Sequence, residues 1–174
     1  MLTQRWIYII AAGLLVAIAA GVFWWYCGVQ STVLLVRHAD RNGTLDELTA
    51  AGHVRAQALV HAAERAGVRA IIRSEAVRAE QTSQLLATAL GLTPIALPGN
   101  DIEAFAREVR RHAGSTVLVV GHSNTVTPII AALDGPTLPE IGDAEFDNLY
   151  VLQLCRCSRS PARVTHLQYG APSP

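Results

Sequence analysis

The sequence contains no lysine, and all fourteen of its basic side chains are arginines. This absence excludes Schiff-base chemistry on a lysine and any phosphate-binding loop that depends on one. The 174 residues carry no excess of positive charge either, because 14 basic side chains are balanced by 14 acidic ones. Non-specific binding of nucleic acid is therefore not predicted. Three cysteines, Cys27, Cys155 and Cys157, are too few for a disulfide framework or a thiolate zinc site.

The apolar residues are concentrated at the amino terminus. Residues 6–27 form a run without charge that has aromatic side chains at both ends. As a helix this run would span roughly 33 Å, which predicts a transmembrane anchor or an uncleaved signal, with a cleaved signal peptide as the alternative. Arg5 is the only charged side chain in the flank of residues 1–5. So short a flank favours an anchor whose following domain lies outside the cytoplasm, as in a periplasm.

Residues 28–174 are predicted to form one domain in which strands and helices alternate. Strands are predicted at residues 33–36, 70–72, 94–97, 117–120, 149–154 and 162–167. Helices are predicted at residues 48–66, 76–90, 102–112 and 125–133, with Thr49 capping the first and Gly67 and Gly91 ending the first two. This pattern predicts an α/β three-layer sandwich, a mostly parallel central sheet with helices on both faces, preceded by one transmembrane helix.

Arginine and histidine side chains, which can bind a phosphoryl group, follow the core strands. Arg37 and His38 come directly after the strand VLLV, and His122 follows the strand VLVV. Arg78 lies on the first turn of the helix that follows the second strand. Because the carboxyl ends of parallel strands meet at one edge of a sheet, these four side chains are expected to lie together. Guanidinium groups bind phosphate oxygens bidentately, and their charge keeps a nearby histidine neutral and nucleophilic.

Three blocks of sequence are similar to those of a known family. LVRHADRNG, IIRSEAVRAEQTSQLL and VLVVGHSNTV resemble, in order, the signature blocks of the histidine phosphatase (phosphoglycerate mutase-like) superfamily, over about residues 32–169. The resemblance implies that His38 is the nucleophile and forms a phosphohistidine, while Arg37, Arg78 and His122 bind the phosphoryl oxygens. It also implies a phosphorylated small molecule or phosphoprotein as substrate, and no metal or other cofactor. Ser74 and Asn124 would supply secondary hydrogen bonds.

Two departures from the family pattern concern the chemistry. Ala39 replaces a glycine, and the short segment of residues 92–111 lacks the usual glutamate that serves as general acid. Within it, Asp101 and Glu103 are typical of a helix start. Glu75 is the candidate acid nearest to the site in sequence; if it protonates the leaving oxygen, ordinary phosphomonoesters become substrates. Without an acid, phosphoramidates and anhydrides would be favoured.

The short domain favours a hydrolase over a mutase, because it leaves no room for the insertions that hold and return an intermediate. The alternative is a non-catalytic module that retains the fold and senses phosphate or binds protein. The acidic run of Asp143, Glu145 and Asp147 is expected to be a solvated loop, and Thr82 is expected to pack against Arg78 or orient it.

Overall fold

The structure is a computed structural model that describes residues 2–27, 30–43, 45–155 and 162–173. Over these residues helices and strands alternate after an amino-terminal helix. In chain order they are α1 (Leu2–Cys27), β1 (Gln30–Arg37), α2 (Ala50–Ala63), β2 (Val68–Ser74), α3 (Val77–Leu90), β3 (Ile95–Leu97), α4 (Ile102–Arg111), β4 (Thr116–Gly121), α5 (Val126–Ala132), β5 (Asn148–Cys155) and β6 (Arg163–Gln168).

The six strands form a single mixed sheet in the order β3-β2-β4-β1-β5-β6. Strands β3, β2, β4 and β1 are parallel, β5 pairs antiparallel with β1, and β6 pairs antiparallel with β5. Arg37 at the end of β1 lies opposite Gly121 at the end of β4. The predicted α/β class is therefore confirmed, and the ends of the two strands that precede the histidines are aligned.

The sheet is covered by helices on both faces because side chains of a strand alternate between them. On one face Leu35 belongs to a core with Phe105 of α4 and Ile129 of α5. On the other face Leu34 belongs to a core with Leu59 of α2 and Leu86 of α3. The predicted three layers are present, and the parallel strands of the core are buried from both sides.

The structure confirms the predicted cap at the start of α2 and the predicted glycine at the end of α3. The Thr49 hydroxyl accepts a hydrogen bond from the Gly52 amide at 3.1 Å and caps α2. Gly91 adopts a left-handed conformation, with φ of 65°, and ends α3.

Helix α1 covers the apolar segment for which the sequence predicted an anchor. Large apolar side chains along it, among them Tyr8, Leu14 and Phe23, are exposed. Within the described ranges, no helix combines the length and the apolar character needed to cross a membrane. The transmembrane anchor predicted for residues 6–27 is therefore not supported, while the division of the chain at residue 28 stays a prediction.

Candidate active site

The carboxyl ends of β1 and β4 bring the two histidines of the sequence motifs together. The His38 amide donates to the Gly121 carbonyl at 2.9 Å, which continues the pairing of β1 with β4 by one residue. The rings of His38 and His122 then meet edge to face, with their centroids 5.4 Å apart. The structure thus places both histidines at one edge of the sheet, where the sequence predicted them.

The tautomer of His38 follows from its hydrogen bond. Its Nδ1 lies 2.8 Å from the carbonyl oxygen of Ala39, and since a carbonyl only accepts, Nδ1 carries the proton. The neutral ring therefore has its lone pair on Nε2. The pKa of His38 is lowered to about 3, chiefly by burial and then by the charges of Arg37 and Arg78, against the opposing effect of the hydrogen bond to the Ala39 carbonyl. At neutral pH His38 is a neutral imidazole whose ring is held in one orientation and whose Nε2 lone pair is available.

His122 has the opposite tautomer. Nη2 of Arg78 donates to Nδ1 of His122 at 3.1 Å, and because a guanidinium has no acceptor, the neutral ring must carry its proton on Nε2. Burial lowers the pKa of His122 to about 4, with added repulsion from Arg78, Arg37 and Arg41. Nη1 of Arg78 donates to the carboxylate of Asp46, which also accepts from the Val77 amide at 3.1 Å. Asp46 therefore orients Arg78, and Arg78 orients His122.

Arg37 is held by the loop between α5 and β5. Its Nη1 donates to the carbonyl oxygens of Gly142, Asp143 and Glu145 at 2.7, 2.9 and 3.0 Å. Its guanidinium also lies over the ring of Phe146, 4.1 Å from the centroid. One edge of the guanidinium is fixed by these contacts, and Nε is buried with no partner among the residues that the structure describes.

The turn after β1 is hydrogen-bonded to α2 and α3, the two helices on one face of the sheet. The Thr82 hydroxyl accepts from the Ala39 amide at 2.9 Å and donates to the Arg78 carbonyl at 2.7 Å, so it links the turn that carries His38 to the helix that carries Arg78. The Asp40 carboxylate accepts two hydrogen bonds from the buried Arg55 of α2, at 2.6 and 3.2 Å. These contacts leave His38 little freedom to move.

The two histidines open onto a cavity of about 450 Å³. It is lined by Arg37, His38, Arg41, Arg78, Gly99, Asn100, His122, Ser123, Asn124, Thr125, Glu140 and Asp143. The buried Nε atoms of Arg37 and Arg78 are donors without a partner in the described part of the chain. Since a buried unpaired donor costs about 1–3 kcal/mol, such atoms indicate a site built for an acceptor. Two neutral histidines and several guanidinium groups around one cavity can hold a phosphoryl group.

Not every residue singled out in the sequence reaches the cavity. Glu75 follows β2, but its side chain is exposed and does not line the cavity, and its amide donates to the Leu97 carbonyl at 3.0 Å. Ser74 is fully buried outside the lining, and its hydroxyl has no hydrogen-bond partner within the described ranges. Asn124 is exposed and does line the cavity. Sequence proximity to Arg78 was therefore a poor guide to the position of Glu75.

Seven residues that the sequence did not assign to the site line the cavity, and four of them, Arg41, Gly99, Glu140 and Asp143, are charged or pack closely against His122. Glu140 and Asp143 come from the loop between α5 and β5, and Asp143 lies in the acidic run that was expected to be merely solvated. Gly99 packs so closely that a Cβ there would lie 3.0 Å from Nε2 of His122. Arg41, three residues after His38, was visible in the first motif. No local signal marked the other three of these four.

Comparison with known proteins agrees with this geometry. The sequence model of the histidine phosphatase superfamily (branch 1) matches residues 33–99. No significant match is found among curated proteins.

Several solved structures share the fold. The protein histidine phosphatase SixA complexed with tungstate superposes with a TM-score of 0.63 at 19% identity, over 79% of this chain and 96% of that one. Mycobacterial hydrolase 1 gives a TM-score of 0.58 at 16% identity, over 83% and 100% of the two chains. The native mycobacterial glucosyl-3-phosphoglycerate phosphatase gives 0.54 at 16% identity, over 82% and 99%. Residues 33–99 are therefore similar to the histidine phosphatase superfamily and the fold is shared with solved phosphatases, and together these findings support a hydrolase.

Proposed function

We propose that the chain is a phosphatase that hydrolyses its substrate through a phosphohistidine on His38. One observation carries the proposal: Nδ1 of His38 donates to the Ala39 carbonyl, so the lone pair lies on Nε2 of a ring whose pKa is about 3. A nucleophile of this kind needs no separate base, because it is already unprotonated at neutral pH. The facing His122 supplies a hydrogen-bond donor, and the nearby guanidinium groups supply the positive charge that an incoming phosphoryl group requires.

The reaction takes two steps. In the first, Nε2 of His38 forms a bond to phosphorus while the bond from phosphorus to the leaving group breaks, and the electron pair departs with the leaving group. In the second, water attacks phosphorus and releases a proton to the solvent, the bond to Nε2 breaks, and its electron pair returns to the ring. Arg37 and Arg78 hold the phosphoryl oxygens through Nε donors that have no partner in the described part of the chain, and His122 donates from Nε2–H.

We propose further that the substrate has a leaving group that needs little protonation, such as an aryl phosphate, a phosphoramidate or an anhydride. Glu75 is outside the cavity lining, while Glu140 and Asp143 line it as exposed side chains. Carboxylic acids that donate protons near neutral pH are commonly enclosed by apolar side chains, as these are not. A well-placed acid would contribute about 10²–10⁴-fold, so its absence makes the rate depend on the substrate.

The proposal is tested by the kcat/KM of the full chain with 4-nitrophenyl phosphate. His38→Ala is expected to lower kcat/KM by at least about 10³-fold, because the nucleophile is lost. His53→Ala is the matched control, since His53 is an exposed histidine on α2, and it should retain the wild-type value. Unchanged turnover by His38→Ala would contradict the proposal, and an inactive wild type that still binds phosphate would favour a phosphate-sensing module.

The dependence on the leaving group needs its own measurement. A series of aryl and alkyl phosphates should give a steep decrease of kcat/KM with rising leaving-group pKa, with the same slope in wild type, Glu75→Gln and Glu140→Gln. A shallow slope in wild type that becomes steep in one of these variants would identify that glutamate as the general acid instead.

A further inference from the structure

The cavity contains one more guanidinium than a single phosphoryl group requires. Arg37 is bonded to three backbone carbonyls, and Arg78 is bonded to Asp46 and His122. Arg41 lines the same cavity and is half-buried, yet its side chain has no hydrogen bond and no ion pair with any residue that the structure describes. Among the residues that the structure describes, Arg41 is thus the one arginine of the cavity whose guanidinium has no hydrogen-bond or ion-pair partner.

The position of Arg41 differs from that of an ordinary surface arginine. Its backbone forms a bridge to Leu48, which places the residue at the rim just after the turn that carries His38. Its positive charge acts on both Arg37 and His122 across the cavity. The exposed carboxylates of Glu140 and Asp143 at the same cavity offset part of the repulsion among the three guanidinium groups, and an anion with more than one charged group would offset more of it.

We infer that Arg41 binds a second anionic group of the substrate, a carboxylate or a second phosphate carried by the leaving group. The inference rests on the proposed phosphatase activity, because it takes the first phosphoryl group to lie between His38, Arg37 and Arg78. Arg41 then determines specificity: it selects leaving groups that are themselves anionic and discriminates little between neutral ones.

The experiment compares two substrates that differ by one anionic group, phenyl phosphate and 4-carboxyphenyl phosphate. For each enzyme the measured quantity is the ratio of the two kcat/KM values, so that the difference in leaving-group pKa cancels between enzymes. Arg41→Gln is expected to lower the preference for the carboxylated substrate about tenfold, the effect of one charge-assisted hydrogen bond. Arg69→Gln removes the same charge from an exposed position on β2 and should keep the wild-type ratio.

A binding measurement separates this inference from the proposed activity. Titration calorimetry of the full chain with inorganic phosphate and with methylenediphosphonate requires no turnover. Wild type is expected to bind the diphosphonate more tightly than phosphate. In Arg41→Gln the ratio of the two Kd values should decrease about tenfold. If wild type hydrolyses neither substrate but shows the binding preference, the proposed activity fails and the Arg41 subsite stands. If Arg41→Gln leaves both the kinetic ratio and the binding preference unchanged, the subsite is wrong.

Discussion

The buried, neutral His38 makes the stability of the folded chain depend on pH. In the folded state the pKa of His38 is about 3, because burial and the charges of Arg37 and Arg78 disfavour the imidazolium. In the unfolded chain a histidine titrates near its ordinary value of about 6.5. Between these two values the unfolded state binds a proton that the folded state does not. The free energy of unfolding must therefore decrease as the pH falls below about 6.5, and it continues to decrease towards pH 3.

The size of the effect follows from the two pKa values. Between pH 7 and pH 5 the unfolded histidine becomes almost fully protonated while the folded one stays neutral. Linkage then predicts that His38 alone lowers the free energy of unfolding by about 2 kcal/mol over this interval. His122, whose folded pKa is about 4, acts in the same direction.

Urea unfolding at pH 7 and pH 5, in a buffer without phosphate, measures this loss directly. Wild type should lose about 2 kcal/mol more than His38→Gln, since the variant has no proton to take up at this position. Carboxylates that titrate in the interval contribute equally to both proteins and cancel in the difference. The control His53→Gln removes an exposed histidine and should show the wild-type loss. If wild type and His38→Gln lose the same free energy of unfolding between pH 7 and pH 5, the conclusion that His38 is buried and neutral is wrong.

Three further outcomes are expected. Arg78→Ala should lower kcat about 10²–10³-fold, with a far smaller change in the unfolding midpoint, because it removes a donor to the phosphoryl group and the partner of His122. Gly99→Ala should lower kcat about tenfold or more, since its Cβ would displace the His122 ring; a wild-type kcat would show that the ring has room. Gly52→Ala should lower the free energy of unfolding by about 1–3 kcal/mol, as measured in urea, because its Cβ would collide with the carbonyl oxygen of Asp40.

The sequence predicted those parts of the fold that are determined by residues close to one another in the chain. Apolar runs buried on both faces predicted β1 and β4, and residue types that favour caps predicted the ends near Thr49 and Gly91. The parallel arrangement then placed His38 beside His122. Each of these steps needs only a few neighbouring residues and the rule that strand ends meet at one edge.

The residues that the sequence missed depend on contacts between distant segments. Asp143 lies 106 positions after Arg37 in the chain and reaches the cavity because Arg37 bonds to its backbone carbonyl. No periodicity in the segment of residues 134–147 encodes that contact. Glu75 shows the converse, because it is close to Arg78 in sequence but its exposed side chain is outside the cavity lining. Side-chain direction after a strand is set by tertiary packing, which a single sequence does not display.

The most direct test of the account is to trap the phosphoryl group on the enzyme. The full chain is mixed with an aryl phosphate labelled at phosphorus, quenched within milliseconds in alkali, and digested so that the labelled peptide can be identified. We expect an adduct that is stable to base and labile to acid, on the peptide that contains His38, and no adduct in His38→Ala. A label on another residue, or steady turnover by wild type without any enzyme-bound phosphoryl group, would contradict it.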